Sequence, residues 1–549
     1  MSATRQMAVL IHVLRAKLLQ NVHFADVQLE VRMKQSHGSF RGAVRRGCAV
    51  VALTVALTGL ANRTLGQASE GLPQMGLIAV SPDGQGFVER PSGRVFTPFG
   101  VNYYDPNTGW APKIWRQFDP NRVTRHFQVM QDLGVNCARV FLTAATFQPD
   151  VNTIDEQALR KLDTLVRIAR QSGIRLILTG PDHWEGSPAY WKPDRFAGAA
   201  ALQALDHFWR TLGRRYRGES AIFAWDLLNE PHVPWFIETW RPEWNQWLQA
   251  KYGNWEKLKA AWAEEIQEND AWANVAVPEN KASPGNPRLL DWQRFRESLA
   301  DEWVRRQVEA IRAADPTHLV TVGYIQWSYP LVRTGNPSLY AAFNPQRQAP
   351  WLDFMSIHFY PLLGRPFDSQ DAWDRNLAYL QSVLAFCHVG KGSPMWDSRP
   401  RLSISEDDPR ERGSHPVEAP KPVVLGEYGW YGGGAPRNLP SLTEEEQDRW
   451  IVAEIEATRR VCDGWFSWPF ADTPASTDMS KFGGVVRPDL SPKPWAKSFA
   501  RYAANLPALP QPTPKLPVFD FTLALTTPAD ELKPLHEQYS HMVQEAIRK

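Results

Sequence analysis

Residues 224–232 read AWDLLNEPH. A short apolar run with an aromatic inside it has the length and composition of a buried strand. It finishes on Asn229 and Glu230, and Pro231 follows at once, which removes the next ladder N–H and stops the strand. A buried strand that ends in a carboxylate delivers a side chain to some place, and the rest of the chain must say what else arrives there.

Working outward, one unit recurs: a short apolar strand, a loop, an amphipathic helix. RVFTPFGVNYY (94–104), GVNCARVFL (134–142) and RLILTG (175–180) predict strands one to three, and IFAWDLLNE (222–230) is the fourth. HLVTVGY (318–324), DFMSIHFY (353–360), PVVLGEYG (422–429) and GWFSWPF (464–470) predict four more. Between them, Asp119 and Pro120 form an N-cap and first helical position, followed by Val123, Phe127, Met130 and Leu133 on one face. Leu159, Leu162, Leu165 and Ile168 mark the next helix, and 373–386 and 444–460 show helical patterns further on. Eight such units predict an α/β chain folded as a (β/α)8 barrel, in a domain of residues 69–505. A doubly wound open sheet is the alternative, but no glycine-rich fingerprint opens the first helix.

Two additions break the pattern. PEWNQWLQAKYGNWEKLKAAWAEEI (242–266) predicts a Trp-rich helical insertion after strand four, with Trp244, Trp247, Trp255 and Trp262 packing it onto the barrel rim more readily than lining a cleft. After the barrel, 506–517 is a Pro-rich linker. In the extension 518–549, FDFTLAL alternates as a strand would, and Leu535, Tyr539, Met542, Val543 and Ile547 share a helical face.

The formal charge of +2 on 549 residues conceals an asymmetry: nine Lys/Arg against two Asp/Glu fall in residues 1–68, leaving the remainder at −5. The weakly acidic remainder does not suggest a nucleic-acid partner. Arg41, Arg45 and Arg46 precede CAVVALTVALTGLA (48–61), an apolar run of signal-peptide length, too short to span a bilayer. Residues 66–68 offer a cut before Ser69, and the Arg45-Arg46 pair has twin-arginine character. The expectation is an exported chain, periplasmic or extracellular, starting at Met33 and not held in a membrane once the signal is removed; an uncleaved membrane anchor is the alternative. Cys48, Cys137, Cys387 and Cys462 lie far apart, without spacing for zinc or a disulfide framework. The 24 Trp supply core, and also flat faces of the kind that stack on sugar rings.

In a barrel of this type the carboxyl ends of the strands face the active site. The polar strand-end residues are Asn102, Arg139, Asp182 and His183, Asn229 and Glu230, His358 and Tyr360, Glu427, and the aromatic Trp468. By spacing, no His/Asp/Glu group has metal-ligand character, and no cofactor is called for. Two carboxyls, an Arg and a large aromatic at one mouth suit cleavage of a glycosidic bond. One carboxyl must protonate the leaving oxygen while the other, ionised, meets the charge building on the ring carbon. Arg139 is placed to keep Glu427 ionised.

LNEP (228–231), GEYG (426–429), HFY (358–360), WPF (468–470) and Arg139 together resemble the clan A glycoside hydrolases, most closely family 5, the cellulase and mannanase family, with some likeness to family 42 β-galactosidases. WLQAKYGNWEKLKAAW and GVVRPDLSPKPW (484–495) also look like segments of such enzymes. The resemblance covers nearly all of the barrel. It implies a retaining double displacement on a polysaccharide or oligosaccharide. Glu427 would be the nucleophile, and Glu230 the acid and then the base. Asn229 would bond the 2-hydroxyl, Tyr360 would orient Glu427, His358 would bind substrate or support the pair, and Trp468 would be the stacking floor. Asp182, His183 and Trp184 in GPDHWEG depart from the family pattern, where a histidine often follows strand three, so either Asp182 or His183 could contact sugar. Trp430 and Tyr431 are either subsite platforms or rim packing. An endo-β-mannanase or β-glucanase is the expectation. An exo-β-glycosidase, a transglycosylase and a barrel that binds glycan without cutting it remain as alternatives.

Overall fold

The computed structural model describes residues 75–108, 113–278, 286–331, 339–361, 366–388, 420–430, 442–528 and 531–549. The expected export signal, Met33, Cys48, Ser69 and Tyr431 lie outside these residues.

Eight parallel strands close a barrel in the order β10-β11-β4-β5-β6-β7-β8-β9. They are β4 (Phe99–Tyr103), β5 (Cys137–Thr143), β6 (Arg175–Asp182), β7 (Ile222–Asn229), β8 (Leu319–Tyr324), β9 (Met355–His358), β10 (Val423–Tyr428) and β11 (Gly464–Ser467). The ring closes where β11 pairs with β4, Phe466 opposite Gly100. The expected eight-unit barrel is therefore the fold observed. Buried on both faces, these strands read as continuous apolar runs rather than as alternation. Helices cover the outside as the sequence predicts. Pro120–Asp132 begins on Asp119, whose side chain accepts from Asn121 N, and Glu444–Thr458 begins with a capping box between Thr443 and Glu446.

The structure departs from the sequence reading at both ends of the barrel domain and adds detail to the insertion. The predicted first strand, 94–104, is two strands divided at Pro98, which has no N–H to give a ladder. Its first part, β3 (Arg94–Phe96), joins β1 (Leu77–Val80) and β2 (Phe87–Arg90) in an antiparallel sheet that the sequence reading did not include. This sheet sits on the amino end of the barrel: Ile78 and Phe87 are buried with Ile177, Phe223, Phe354, Val424 and Phe466. The Phe87 ring meets Phe223 edge-on at 5.1 Å and Phe354 at 5.4 Å. Glu89 accepts from the Arg175 guanidinium at 2.6 Å across the joint.

The insertion is two helices, Arg241–Tyr252 and Trp255–Trp262, because Gly253 takes φ +75° and ends the first. Its indoles pack, as favoured: Trp244 stacks on Trp247 at 5.6 Å and on Trp262 at 6.0 Å, and stands edge-on to Trp292 in the long helix Pro287–Ala314. Asp291 of that helix accepts from Trp262 Nε1 and Tyr252 Oη, bolting the insertion down.

The predicted C-terminal strand is instead a short helix, Thr522–Thr526, followed by Leu532–Arg548. Alternation over so few residues could not outweigh the docking of Phe521, whose ring packs on Phe386 at 4.6 Å and Tyr539 at 4.9 Å. The Pro-rich segment is pinned to the barrel, with Arg459 donating to the carbonyls of Ala508 and Leu509, and the described residues belong to one compact unit.

Candidate active site

The carboxyl ends of the strands form the opposite face, and Arg139 on β5 lies at its centre, fully buried. Its guanidinium donates to Asp226 Oδ2 at 2.9 Å, Asn102 Oδ1 at 3.0 Å, Glu427 Oε1 at 2.7 Å and Asn229 Oδ1 at 2.9 Å. Burial opposes its charge, but Asp226 and then Glu427 outweigh that and hold its pKa above the ordinary value. Arg139 is thus a hub that orients several strand ends, not a partner for Glu427 alone. Asp226 was missed in the sequence reading. It also accepts from Thr179 Oγ1 and Gly323 N, both at 2.7 Å. The signal was present: a charged residue inside the apolar run of residues 222–228. The β7–β8 register shifts between Asp226 and Asn229. In an unbroken strand, residues three apart point to opposite faces; the irregularity turns both onto Arg139.

Glu230 ends that strand with φ +48°. For a residue with a Cβ, this left-handed conformation costs about 1–3 kcal/mol. Its N–H donates to the Gly323 carbonyl at 2.7 Å, which holds the turn in place. The carboxyl receives His358 Nδ1 at 3.0 Å, and 28% of the side chain is open to solvent. The walls of the mouth nevertheless desolvate it. Burial first, with Asp182 adding to it against the pull of Arg139, pushes its pKa up to about 7. Glu427 on β10 is also raised, by burial first and by Glu230, while His358, Arg139 and the Tyr360 hydroxyl draw it down. Tyr360 donates to Glu427 Oε2 at 2.9 Å. The two carboxyls therefore differ in kind: Glu427 accepts from a guanidinium and a phenol, Glu230 from an imidazole. Charge-assisted bonds favour the ionised form, so a proton shared by the pair rests on Glu230.

His358 stands between them, Nδ1 at 3.0 Å from Glu230 and 3.3 Å from Glu427. Burial first, and Arg139 with it, presses its pKa down to about 4 against Glu427 and Asp226, so near neutral pH the ring is uncharged and gives its one N–H from Nδ1. The space beside it depends on Gly323: a Cβ there would lie 2.6 Å from Arg139 Nη2 and 3.2 Å from His358 Nε2. One ligand atom each from Glu230, His358 and Glu427 lie within 4.8 Å of one another. Sequence spacing gives no sign of this group, because its members come from the ends of three different strands. A divalent cation accepts these donor types, but both Glu427 oxygens are already engaged, Oε1 by the Arg139 guanidinium and Oε2 by the Tyr360 hydroxyl, and the cation would sit beside a guanidinium. The arrangement does not fit a metal.

The remaining predicted residues are placed as follows. Trp468 is 4% exposed and clusters with Tyr104, Phe141 and Tyr360, and its Nε1 donates to Ser480 Oγ at 3.1 Å. Asn102 is buried and ties Arg139 to the Gly426 carbonyl. Asp182 is buried, with Oδ1 accepting from His183 N at 2.6 Å, while His183 and Trp184 are stacked at 4.6 Å and open to solvent. Trp430 is buried edge-on against Phe367 and Trp450, which is packing rather than a bare platform.

The barrel, its sealed amino face and the residues gathered at the other end give the chain the architecture of the clan A glycoside hydrolases, and the resemblance to families 5 and 42 holds. The family model Glyco_hydro_42, described as Beta-galactosidase, matches residues 196–397. The Beta-galactosidase BgaA of Clostridium cellulovorans is 23% identical over 301 residues, 50% of this chain and 41% of that protein. The Probable mannan endo-1,4-beta-mannosidase A of Aspergillus niger is 28% identical over 170 residues, 26% of this chain and 44% of that protein. The chain therefore spans less than half the length of these two curated relatives. Among solved structures, a catalytic mutant of Gan42B, a GH42 beta-galactosidase from G. stearothermophilus, has a TM-score of 0.60 at 16% identity, covering 81% of this chain and 63% of that one. A GH5_18 variant from Streptomyces cattleya in complex with Manb1-4GlcNAc has a TM-score of 0.54 at 17% identity, covering 82% and 93%.

Proposed function

We propose that this chain is a retaining β-glycoside hydrolase. The observation that carries the reading is the approach of Glu230 and Glu427, whose ligand atoms lie within 4.8 Å with His358 between them. Retaining enzymes hold their carboxyls about 5–5.5 Å apart, and inverting ones about 6.5–9.5 Å to admit a water. In the first step an oxygen of Glu427 attacks the anomeric carbon. Glu230, protonated because its pKa stands near 7, gives its proton to the departing glycosidic oxygen. In the second, Glu230 takes a proton from water, which displaces Glu427 and restores it. Asn229, held by Arg139, is available to the 2-hydroxyl, and Trp468 to the ring face. NMR of the first product on an aryl β-glycoside tests this: the β-anomer is expected, and the α-anomer would refute it.

For the substrate, we infer a β-linked polysaccharide or oligosaccharide of the mannan or β-glucan type, cut internally; the likeness to mannan endo-1,4-β-mannosidases supports it. A second reading, exo-cleavage of β-galactosides, is favoured by the β-galactosidase family match over 196–397. A polysaccharide panel with product sizing separates them. Intermediate oligosaccharides support internal cleavage, and monosaccharide alone supports the second. Excess acceptor sugar in the same assay reveals transglycosylation, and inactivity with retained glycan binding would leave a binding barrel. We also infer export from residues 41–68, tested by N-terminal sequencing of the mature chain.

A further inference from the structure

Beyond β8 the backbone ladder between β8 and β9 stops, Gly323 opposite Ser356 and Tyr324 opposite Ile357 being its pairs. The buried amide of Gln326 takes over. Its Oε1 accepts from Tyr360 N at 3.0 Å, and its Nε2 donates to Tyr360 O at 3.3 Å, so one side chain brackets the main chain of Tyr360 as a further pair of ladder bonds would. Tyr360 in turn donates its hydroxyl to Glu427. Gln326 opens a turn that ends at Tyr329, whose N–H donates to the Gln326 carbonyl at 3.2 Å. The Tyr329 ring packs among Phe521, His536 and Tyr539, all from the C-terminal extension, and its hydroxyl lies 3.2 Å from His536 Nδ1.

We propose that Gln326 is a positioning residue for the Tyr360–Glu427 bond and that the extension 518–549 braces it through Tyr329. Contact thus runs from the C-terminal helix through an aromatic cluster and an amide bracket to the carboxylate. The inference rests on the proposed role of Glu427 for its catalytic consequence, but its geometric core is independent of any activity.

The test is Gln326→Leu in the full chain, with Tyr360→Phe and the double variant alongside. Two readouts are taken: kcat and KM on an aryl β-glycoside against pH, and ¹³C NMR titration of the labelled glutamate carboxyls. Around Glu427, Arg139, His358 and Tyr360 favour its charge and Glu230 opposes it. Loosening Tyr360 should therefore raise the Glu427 titration and move the acidic limb of the profile upward, by about one pH unit. The expected loss is about tenfold in kcat with KM little changed, what one hydrogen bond supplies. In the double variant, the Gln326 change should add almost nothing to Tyr360→Phe. Tyr539→Ala should shift Glu427 in the same direction by less. Should Gln326→Leu melt prematurely, the near-isosteric Gln326→Met gives the same readouts. An unmoved Glu427 titration in these Gln326 variants, or effects that add fully to Tyr360→Phe, would overturn the proposal. If the parent cleaves no glycoside, the functional reading fails while the carboxyl titration still decides this one.

Discussion

Glu230 shows how one residue combines stability cost with use. Its carboxyl is raised to about 7, so the folded chain holds that proton over a pH range where the unfolded chain, near the ordinary 4.5, has released it. The sign follows: the native state is favoured relative to the unfolded state below about pH 4.5, and this advantage is lost as pH rises through about 7. Glu230→Gln, which cannot ionise, is therefore expected to melt higher than the parent at pH 8 and nearly with it at pH 4.5, by differential scanning calorimetry across that range. In the proposed mechanism the same group limits turnover from the alkaline side. The kcat/KM of the parent should fall above about pH 7, and that limb should vanish in Glu230→Gln. With a poor leaving group the variant should lose about 10²–10⁴-fold, the usual contribution of general acid catalysis, and far less with a dinitrophenyl glycoside, which leaves without help. Equal losses on both substrates would deny Glu230 the acid role.

At the scale of elements, the Trp-rich insertion is a packed layer whose indoles stack on one another and on Trp292. Trp244→Ala should cost about 3–5 kcal/mol, as truncation of a buried aromatic does, read as a fall in denaturant midpoint. KM should remain near the parent's, because Trp244 is covered by protein. A KM rise without loss of stability would make it a cleft residue instead. The existence of the helices and strands was legible locally, because periodicity, caps, the stop at Pro231 and the helix start at Pro120 act within a few residues. The boundaries that went astray depended on partners far along the chain. Residues 94–96 belong to β3 only because β2 is there to pair with them, and FDFTLAL coils into a helix beside Phe386 and Tyr539.

At the scale of the molecule, the two ends of the barrel divide the labour. The amino end is closed by β1–β3 and carries packing; the carboxyl end carries the convergent polar residues. Phe87→Ala at the closed end should lower stability by about 3–5 kcal/mol in urea unfolding while the pH profile keeps its shape. A displaced profile would mean that the plug communicates with the mouth.

The sequence by itself determined the number and order of the barrel strands and that Glu230 and Glu427 stand at two of their ends, since both follow from short-range patterning and the rule that strands of a parallel barrel present their carboxyl ends together. Only the tertiary structure decided that Arg139 serves Asp226 and Asn229 as well as Glu427, that His358 lies neutral between two carboxyls, and that Gln326 holds Tyr360. Those contacts join residues from different strands and from the turns that follow them, some 288 positions apart in the case of Arg139 and Glu427. Side-chain direction there is set by barrel closure and by an irregular β7–β8 register, which no local pattern encodes.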